Sequence, residues 1–292
     1  MKLSTLKTLL LTAFVLSAAV SPLSAVNDNA GTTGFQSLKT VHSARAIALG
    51  QALTGQAANP DGIHFNPASI LGIDGYEIGT TYTNSFLDTQ GGQLQFLMPK
   101  HKFTAWGFSL KYMNMGEFDH TLIDQNGDLI DTGETFGAYN LIATASLAKY
   151  ISDAIDVGGT VKVIYDQIED SSAAAAVIDL GAVHHPANEK VEVGVSVRNL
   201  GAQFLFYSDN QYKEKLPVTF AAGISYQFNP KLFGGLDIGK AEGEDVIAKI
   251  GVEYEIYPSL DLRAGFRSTA GEGYNGGTLA FLSGFSLGAG WN

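Results

Sequence analysis

The sequence predicts an all-β transmembrane barrel, antiparallel throughout, with a short helical plug ahead of it. Three observations carry that expectation: apolar and polar residues alternate with a period of two from Tyr76 almost to Asn292, short and long connections alternate along the chain, and the first 25 residues read as an export signal. Composition agrees. The 292 residues include 34 glycines, 17 phenylalanines, 12 tyrosines and no cysteine, and only 16% are charged, against about 25% in an average soluble domain. A net charge of −11 excludes a basic nucleic-acid footprint. The lack of cysteine excludes a disulfide frame, a thiolate metal site and a lipidated N-terminal cysteine.

Residues 1–25 begin with Lys2 and Lys7, continue through the apolar stretch Leu9–Val20, and end in the small-residue site Leu23-Ser24-Ala25. The expectation is cleavage near Ala25 and export across the inner membrane of a Gram-negative cell. No later apolar run reaches the roughly 18 residues of a helical span, which leaves a soluble periplasmic protein or an outer-membrane barrel.

Residues 26–75 do not alternate. Ser43–Leu53 reads as a short helix with Ser43 as N-cap, Asn59-Pro60-Asp61-Gly62 as a turn, and Ile63–Ile70 follows it. From Tyr76 thirteen strands are expected: 76–83, 93–98, 103–112, 135–150, 156–166, 173–184, 190–199, 217–227, 232–239, 246–256, 260–267, 277–282 and 285–291. Val191, Val193, Val195 and Val197 against Glu192, Gly194, Ser196 and Arg198 is the clearest alternation, since successive side chains of a strand point to opposite faces. Tight turns at 99–101, 152–154, 185–188, 229–230 and 257–259 alternate with loops at 84–92, 113–134, 167–172, 200–216, 240–245 and 268–276. Tight periplasmic turns and larger outside loops are the pattern of a membrane barrel.

Parity alone does not say which face is inside. Tyrosines and Trp106 on the apolar parity suit an interfacial girdle, and the glycines among the charges of the other parity suit a crowded lumen. Lys162, Asp179, Glu192, Arg198, Lys249, Glu253 and Arg263 are therefore expected to face the lumen. They either line a permeation path or pair across strands to neutralise a polar interior.

Chemistry-bearing patterns are weak. Gly284-Phe285-Ser286-Leu287-Gly288 has the spacing of a nucleophile elbow, but no helix, acid or histidine follows it. Gly271–Gly276 has the dinucleotide spacing without a βαβ unit. Asp124-Gln125-Asn126-Gly127-Asp128 places its glycine wrongly for a calcium loop and reads as a hairpin tip. No catalytic role, metal or cofactor is expected.

The Ala-Arg-Ala helix closed by Gly50, the turn with Asp61, and Phe65-Asn66-Pro67-Ala68 together resemble the PorV/PorQ family of outer-membrane proteins, within the wider group of FadL-like barrels. Val197-Arg198-Asn199-Leu200-Gly201 adds to the resemblance, which runs from about Gly34 to Asn292. It implies a barrel of about 14 strands over residues 76–292, and a segment over 26–75 that plugs or lines the lumen, with Arg45, Gly50, Asn66 and Pro67 as its marker residues. An antiparallel barrel with both ends periplasmic needs an even strand number, so either one strand escapes the pattern or, the favoured expectation, the chain ends one strand short at Asn292. The resemblance further implies a type IX secretion component that binds C-terminal domains of secreted cargo, with other secretion components and outer-membrane lipid as partners. The alternative is a FadL-like channel for hydrophobic small molecules, gated by residues 44–67.

Overall fold

A computed structural model describes residues 31–85, 88–101, 103–124, 126–268 and 284–291. Its twelve strands form one antiparallel sheet in sequence order: β1 (Glu77–Asn84), β2 (Gln90–His101), β3 (Thr104–Ile123), β4 (Leu129–Ser152), β5 (Ile155–Ile168), β6 (Ser171–His184), β7 (Val191–Leu205), β8 (Thr219–Asn229), β9 (Leu232–Ala241), β10 (Ile247–Tyr257), β11 (Leu260–Arg267) and β12 (Phe285–Trp291). Each strand pairs with its neighbours in sequence, and among the described residues β1 and β12 are not paired with each other. Twelve of the thirteen expected strands are present. The expected strand over 277–282 lies outside the described residues, and β11 pairs directly with β12. Among the described residues no helix is long and apolar enough to cross a membrane.

Burial settles the orientation that parity left open. The apolar parity is outside: Ile78, Leu94, Phe108, Leu110, Val161, Val195, Phe220 and Ile238 are all exposed. Polar residues of the other parity are buried, among them Gln93, Ser109, Asn140, Thr144, Thr160, Asp179 and Asp237. A soluble barrel would show the reverse. Aromatic residues flank the greasy band. Tyr112, Tyr139 and Tyr165 stand in a row near the loop end, with ring centroids 6.3 and 6.4 Å apart. Phe103 and Tyr150 meet edge to face at the turn end. From Phe103 to Tyr112 the strand rises about 30 Å, which a tilt of about 40° shortens to about 23 Å, close to the roughly 25 Å band of outer-membrane barrels.

The outside connections differ from the expected loops. Most of 113–134 is strand: β3 and β4 run on as a two-stranded ribbon and turn only at 124–128, where the Asp124 carboxylate accepts from the backbone N–H groups of Asn126 and Asp128 at 2.7 and 2.9 Å. The expected loops at 84–92 and 167–172 shrink to short turns because their strands extend. The physical reason is that a strand leaving the membrane no longer needs to alternate, so its sequence loses the signal while its backbone keeps pairing.

Residues 31–75 lie against the polar face of the sheet. They contain α1 (Ala44–Ala48), α2 (Gly62–Phe65) and single 3-10 turns at Gln36–Lys39 and Pro67–Ile70. Ser43 caps α1 by accepting from Ala46 N at 3.1 Å. The helix is shorter than the expected 43–53, because Gly50 takes a left-handed φ of 60° and turns the chain.

Candidate functional site

The site is the inner surface of the barrel together with the plug segment that fills it. A girdle of wall glycines makes that filling possible. Gly158 opposes Gly181, Gly194 opposes Gly223, and Gly235, Gly251 and Gly265 follow one another across β9, β10 and β11. A Cβ at Gly158 would overlap the Pro67–Ala68 backbone, at Gly194 the Thr54 carbonyl, at Gly235 the Ala52 carbonyl, and at Gly251 the Leu49 carbonyl. The plug backbone thus touches wall backbone around half of the circumference, an approach open only to residues without a side chain.

Polar side chains then fix the plug in register. Arg45 on α1 donates Nε and Nη2 to the two carboxylate oxygens of Glu253 on β10, at 2.9 and 3.0 Å, and Nη1 to Asn59 Oδ1 at 3.0 Å. Glu253 is shared with Arg263 of β11 at 2.6 Å, and Arg263 also reaches Asp261 at 3.2 Å. Such forked pairs specify geometry as well as energy. Gly50 sits against the backbone of Phe266 and Ile250, where a Cβ would have no room. Asn66 is fully buried; its amide donates to Thr54 O and Ala182 O at 2.9 and 3.0 Å, and its oxygen caps the following turn by accepting from Ala68 N. Pro67, first in that turn, presses on Gly158 and Gly181. Glu192 accepts from Ala57 N at 2.8 Å and from Ser225 Oγ at 3.0 Å.

The remaining predicted lumen residues gather higher up, toward the loop end. Lys162 is paired with Asp179 at 2.5 Å and reaches Asn199 Oδ1 at 3.2 Å. Arg198 donates to His64 O at 2.8 Å and lies over the Phe65 ring, with Lys249 on the same ring. A bulge places both Arg198 and Asn199 opposite Asp179, and Asn199 takes φ +62°. The charged residues among those predicted fall in two groups: a plug-tying network around Arg45 and Glu253, and a basic group around Arg198.

The lumen is less uniformly polar than expected. Ile142, Ile164, Ala173, Ala175 and Val177 form an apolar lining on the inner face of β4, β5 and β6, roofed by Phe35 and Leu38 from the plug and by Leu216 from the β7–β8 connection, with Tyr207 packed against it. A second apolar cluster, including Ile63, Ile70, Leu97 and Ala148, seats the plug on β2, β3 and β4. Sequence reasoning passed over this lining, although its signal is there: Leu141-Ile142, Val163-Ile164-Tyr165 and Ala173–Val177 are breaks in the alternation, where both faces are apolar. His42 and His64 were passed over as well. Burial above all, and then Lys111, lowers the His42 pKa from 6.5 to about 4; burial likewise holds His64 well below its ordinary value.

Ser286 lies in β12 and donates to the Ala48 carbonyl at 3.3 Å, so its hydroxyl belongs to the plug contact. Gly271–Gly276 lies outside the described residues.

No protein-family model and no curated protein matches the sequence, so the PorV/PorQ resemblance rests on its own residues. Solved structures do match. A deltaS2 mutant of the TodX monoaromatic hydrocarbon channel superimposes with a TM-score of 0.59 at 12% identity, over 77% of this chain and 81% of that one. The Pseudomonas putida toluene transporter TodX gives 0.57 at 12% identity, over 77% and 82%. A Pseudomonas aeruginosa FadL homologue gives 0.52 at 12% identity, over 78% and 80%. At this identity the likeness concerns the fold alone, an antiparallel β-sheet arranged as in these barrels.

Proposed function

We propose that this protein is an outer-membrane channel for small hydrophobic molecules, embedded in lipid through its tyrosine-flanked greasy band. The observation that supports this most is the apolar lining of Ile142, Ile164, Ala175 and Val177 on the inner face of β4, β5 and β6. An interior built only to be neutral has no need of a branched apolar surface under a removable roof. That roof, Phe35, Leu38 and Leu216, comes from the plug and from a connection between strands rather than from the wall, so displacing it opens the lining without breaking the sheet. The superimposable structures include hydrocarbon and toluene channels, which supports the same reading and makes toluene the probe of choice.

The test is uptake of labelled toluene by cells expressing the protein. The wild type is expected to raise uptake over the deletion strain, and Ile164→Asp with Val177→Asp to reduce that gain about tenfold by placing charges in the lining. Val163→Thr, one residue away and facing lipid, is expected to keep it. Uptake of toluene and of long-chain lipid unchanged by expression would end the channel reading.

A second reading, the type IX secretion role implied by the sequence resemblance, draws on a different feature. The β3–β4 ribbon beyond the barrel carries Phe118, Leu122, Ile130 and Phe136 with Phe118 stacked on Phe136 at 5.5 Å, and the first three are exposed. An exposed apolar ribbon of this kind suits a protein partner. Cargo exported and processed normally in the deletion strain would remove this reading and leave the channel untouched.

A further inference from the structure

The apolar lining is bracketed by polar residues, and strand register places them. On the inner face of β4 and β5, Ile142 lies opposite Ile164, and the next inward pair toward the loop end is Asn140 opposite Asp166. Toward the turn end the next inward pair is Thr144 opposite Lys162. β6 continues the three rows with Ala173 beside Asp166, Ala175 beside Ile164 and Val177 beside Lys162. Four residues along a strand cover about 14 Å, and three strands about 10 Å. The bracketed patch therefore suits one aromatic ring with a substituent and is too short for a long acyl chain laid along the strands.

The two brackets differ in what they can still bind. Lys162 is occupied: it is ion-paired with Asp179 and donates to Asn199 Oδ1 at 3.2 Å. Asn140 and Asp166 are only 2% and 8% exposed, and Asn140 Nδ2 and Asp166 Oδ1 have no hydrogen-bond partner among the described residues. The other Asp166 oxygen accepts from Tyr207 Oη at 3.4 Å, and the same tyrosine packs against the apolar cluster. Tyr207 and Leu216 both belong to the connection between β7 and β8, so the element that roofs the lining also covers the Asp166 carboxylate. Lifting it bares the lining and this polar pair together. A buried donor and a buried acceptor left without partners are costly. Side chains directly opposite on neighbouring strands start about 5 Å apart, a gap that one hydroxyl group spans by donating to the carboxylate and accepting from the amide.

We propose that the lining takes a neutral hydroxylated hydrophobe of single-ring size, a phenol or benzylic alcohol, with its ring on Ile142, Ile164 and Ala175 and its hydroxyl between Asp166 Oδ1 and Asn140 Nδ2. This rests on the channel reading and names the class of permeant. The Asp166 carboxylate repels anionic hydrophobes at the loop end, and Lys162 does not attract them at the other, because Asp179 already neutralises it.

The experiment is equilibrium dialysis of the full chain in detergent against labelled p-cresol, toluene and p-toluate, with binding to protein-free micelles subtracted. The wild type is expected to bind p-cresol about tenfold more tightly than toluene, since a site with hydroxyl partners discriminates against the analogue that lacks the hydroxyl. It is expected to bind p-toluate more weakly than either. Asp166→Ala and Asn140→Leu should each bring the ratio of p-cresol to toluene affinity close to one, whereas Val163→Thr, facing lipid, should keep the wild-type ratio. Toluene bound without any preference for p-cresol, as when a water molecule alone serves the two polar atoms, would overturn this inference and leave the channel reading standing. A preference undiminished in both Asp166→Ala and Asn140→Leu would overturn it as well. Binding of neither compound would end both readings.

Discussion

The two sides of the plug meet the barrel in different ways. Along β5–β11 its inner side lies backbone to backbone on glycines, tied by the forked Arg45–Glu253–Arg263 network. Along β4–β6 its outer part, Phe35 and Leu38, rests on isoleucine, valine and alanine, with no ion pair of its own on that surface. The first contact is specific and admits a single register. The second is non-directional and can slide or lift at modest cost, since apolar burial is proportional to area and does not depend on angle. The contrast sets the two apart: one side of the plug is anchored, and the other is held by apolar contact alone.

The anchored side is the place to break that contrast. Gly158→Val is expected to be the most damaging change, because its side chain would have to occupy the Pro67–Ala68 backbone. A loss of more than about 3 kcal/mol, or failure to assemble, is anticipated from overpacking where neither backbone can move. Gly159→Val, the next residue and facing outward with nothing nearer than 3.8 Å to its Cβ position, is the matched control and should fold. Urea unfolding in detergent reads both. Equal effects at the two positions would mean that the girdle of glycines does not seat the plug.

Glu253→Gln comes next. It leaves Arg45 and Arg263, both mostly buried, sharing a neutral acceptor, and breaking a buried pair loses about 3–5 kcal/mol. Faster proteolysis of residues 31–75 with the barrel intact is the expected readout. The exposed pair Lys231–Glu255 makes the comparison: Glu255→Gln should shift stability by less than about 0.5 kcal/mol.

Acid sharpens the contrast more gently. The free imidazole of His42 titrates near 6.5 and the docked one near about 4. As pH falls, the undocked state takes up the proton first, so plug docking weakens through the window from 6.5 down to about 4 and is indifferent to pH above it. Protection factors of residues 36–48, with the base-catalysed pH dependence of intrinsic exchange divided out, should fall across that window in the wild type, and His42→Gln should flatten the change. Protection factors independent of pH in the wild type would show that His42 is not held neutral by docking.

Much of this architecture is legible in the residues themselves. Period-two alternation places twelve strands close to where they lie, whereas the plug was implied only by the family resemblance of Ala44-Arg45-Ala46 and Asn66-Pro67. The tip of the β3–β4 ribbon was legible as a hairpin at 124–128, but its length was not, because residues 113–134 pair outside the apolar band and so carry no alternation. The apolar lining at Ile142, Ile164 and Val177 was hidden for the opposite reason: greasy residues on both faces of a strand erase the pattern that separates them. The secretion role implied by the sequence resemblance finds no support among the superimposable barrels, whereas the hydrophobic channel does.

By itself the sequence determined that this chain makes an antiparallel sheet with one greasy face, since the alternation of side chains along a strand is a local property of the backbone. Only the tertiary structure decided that the greasy face looks outward, that glycines on seven successive strands line up into one girdle, and that Arg45 finds Glu253 more than two hundred residues away. Those facts depend on strand register and on the curvature that wraps the sheet round the plug, which bring together residues that no local pattern relates.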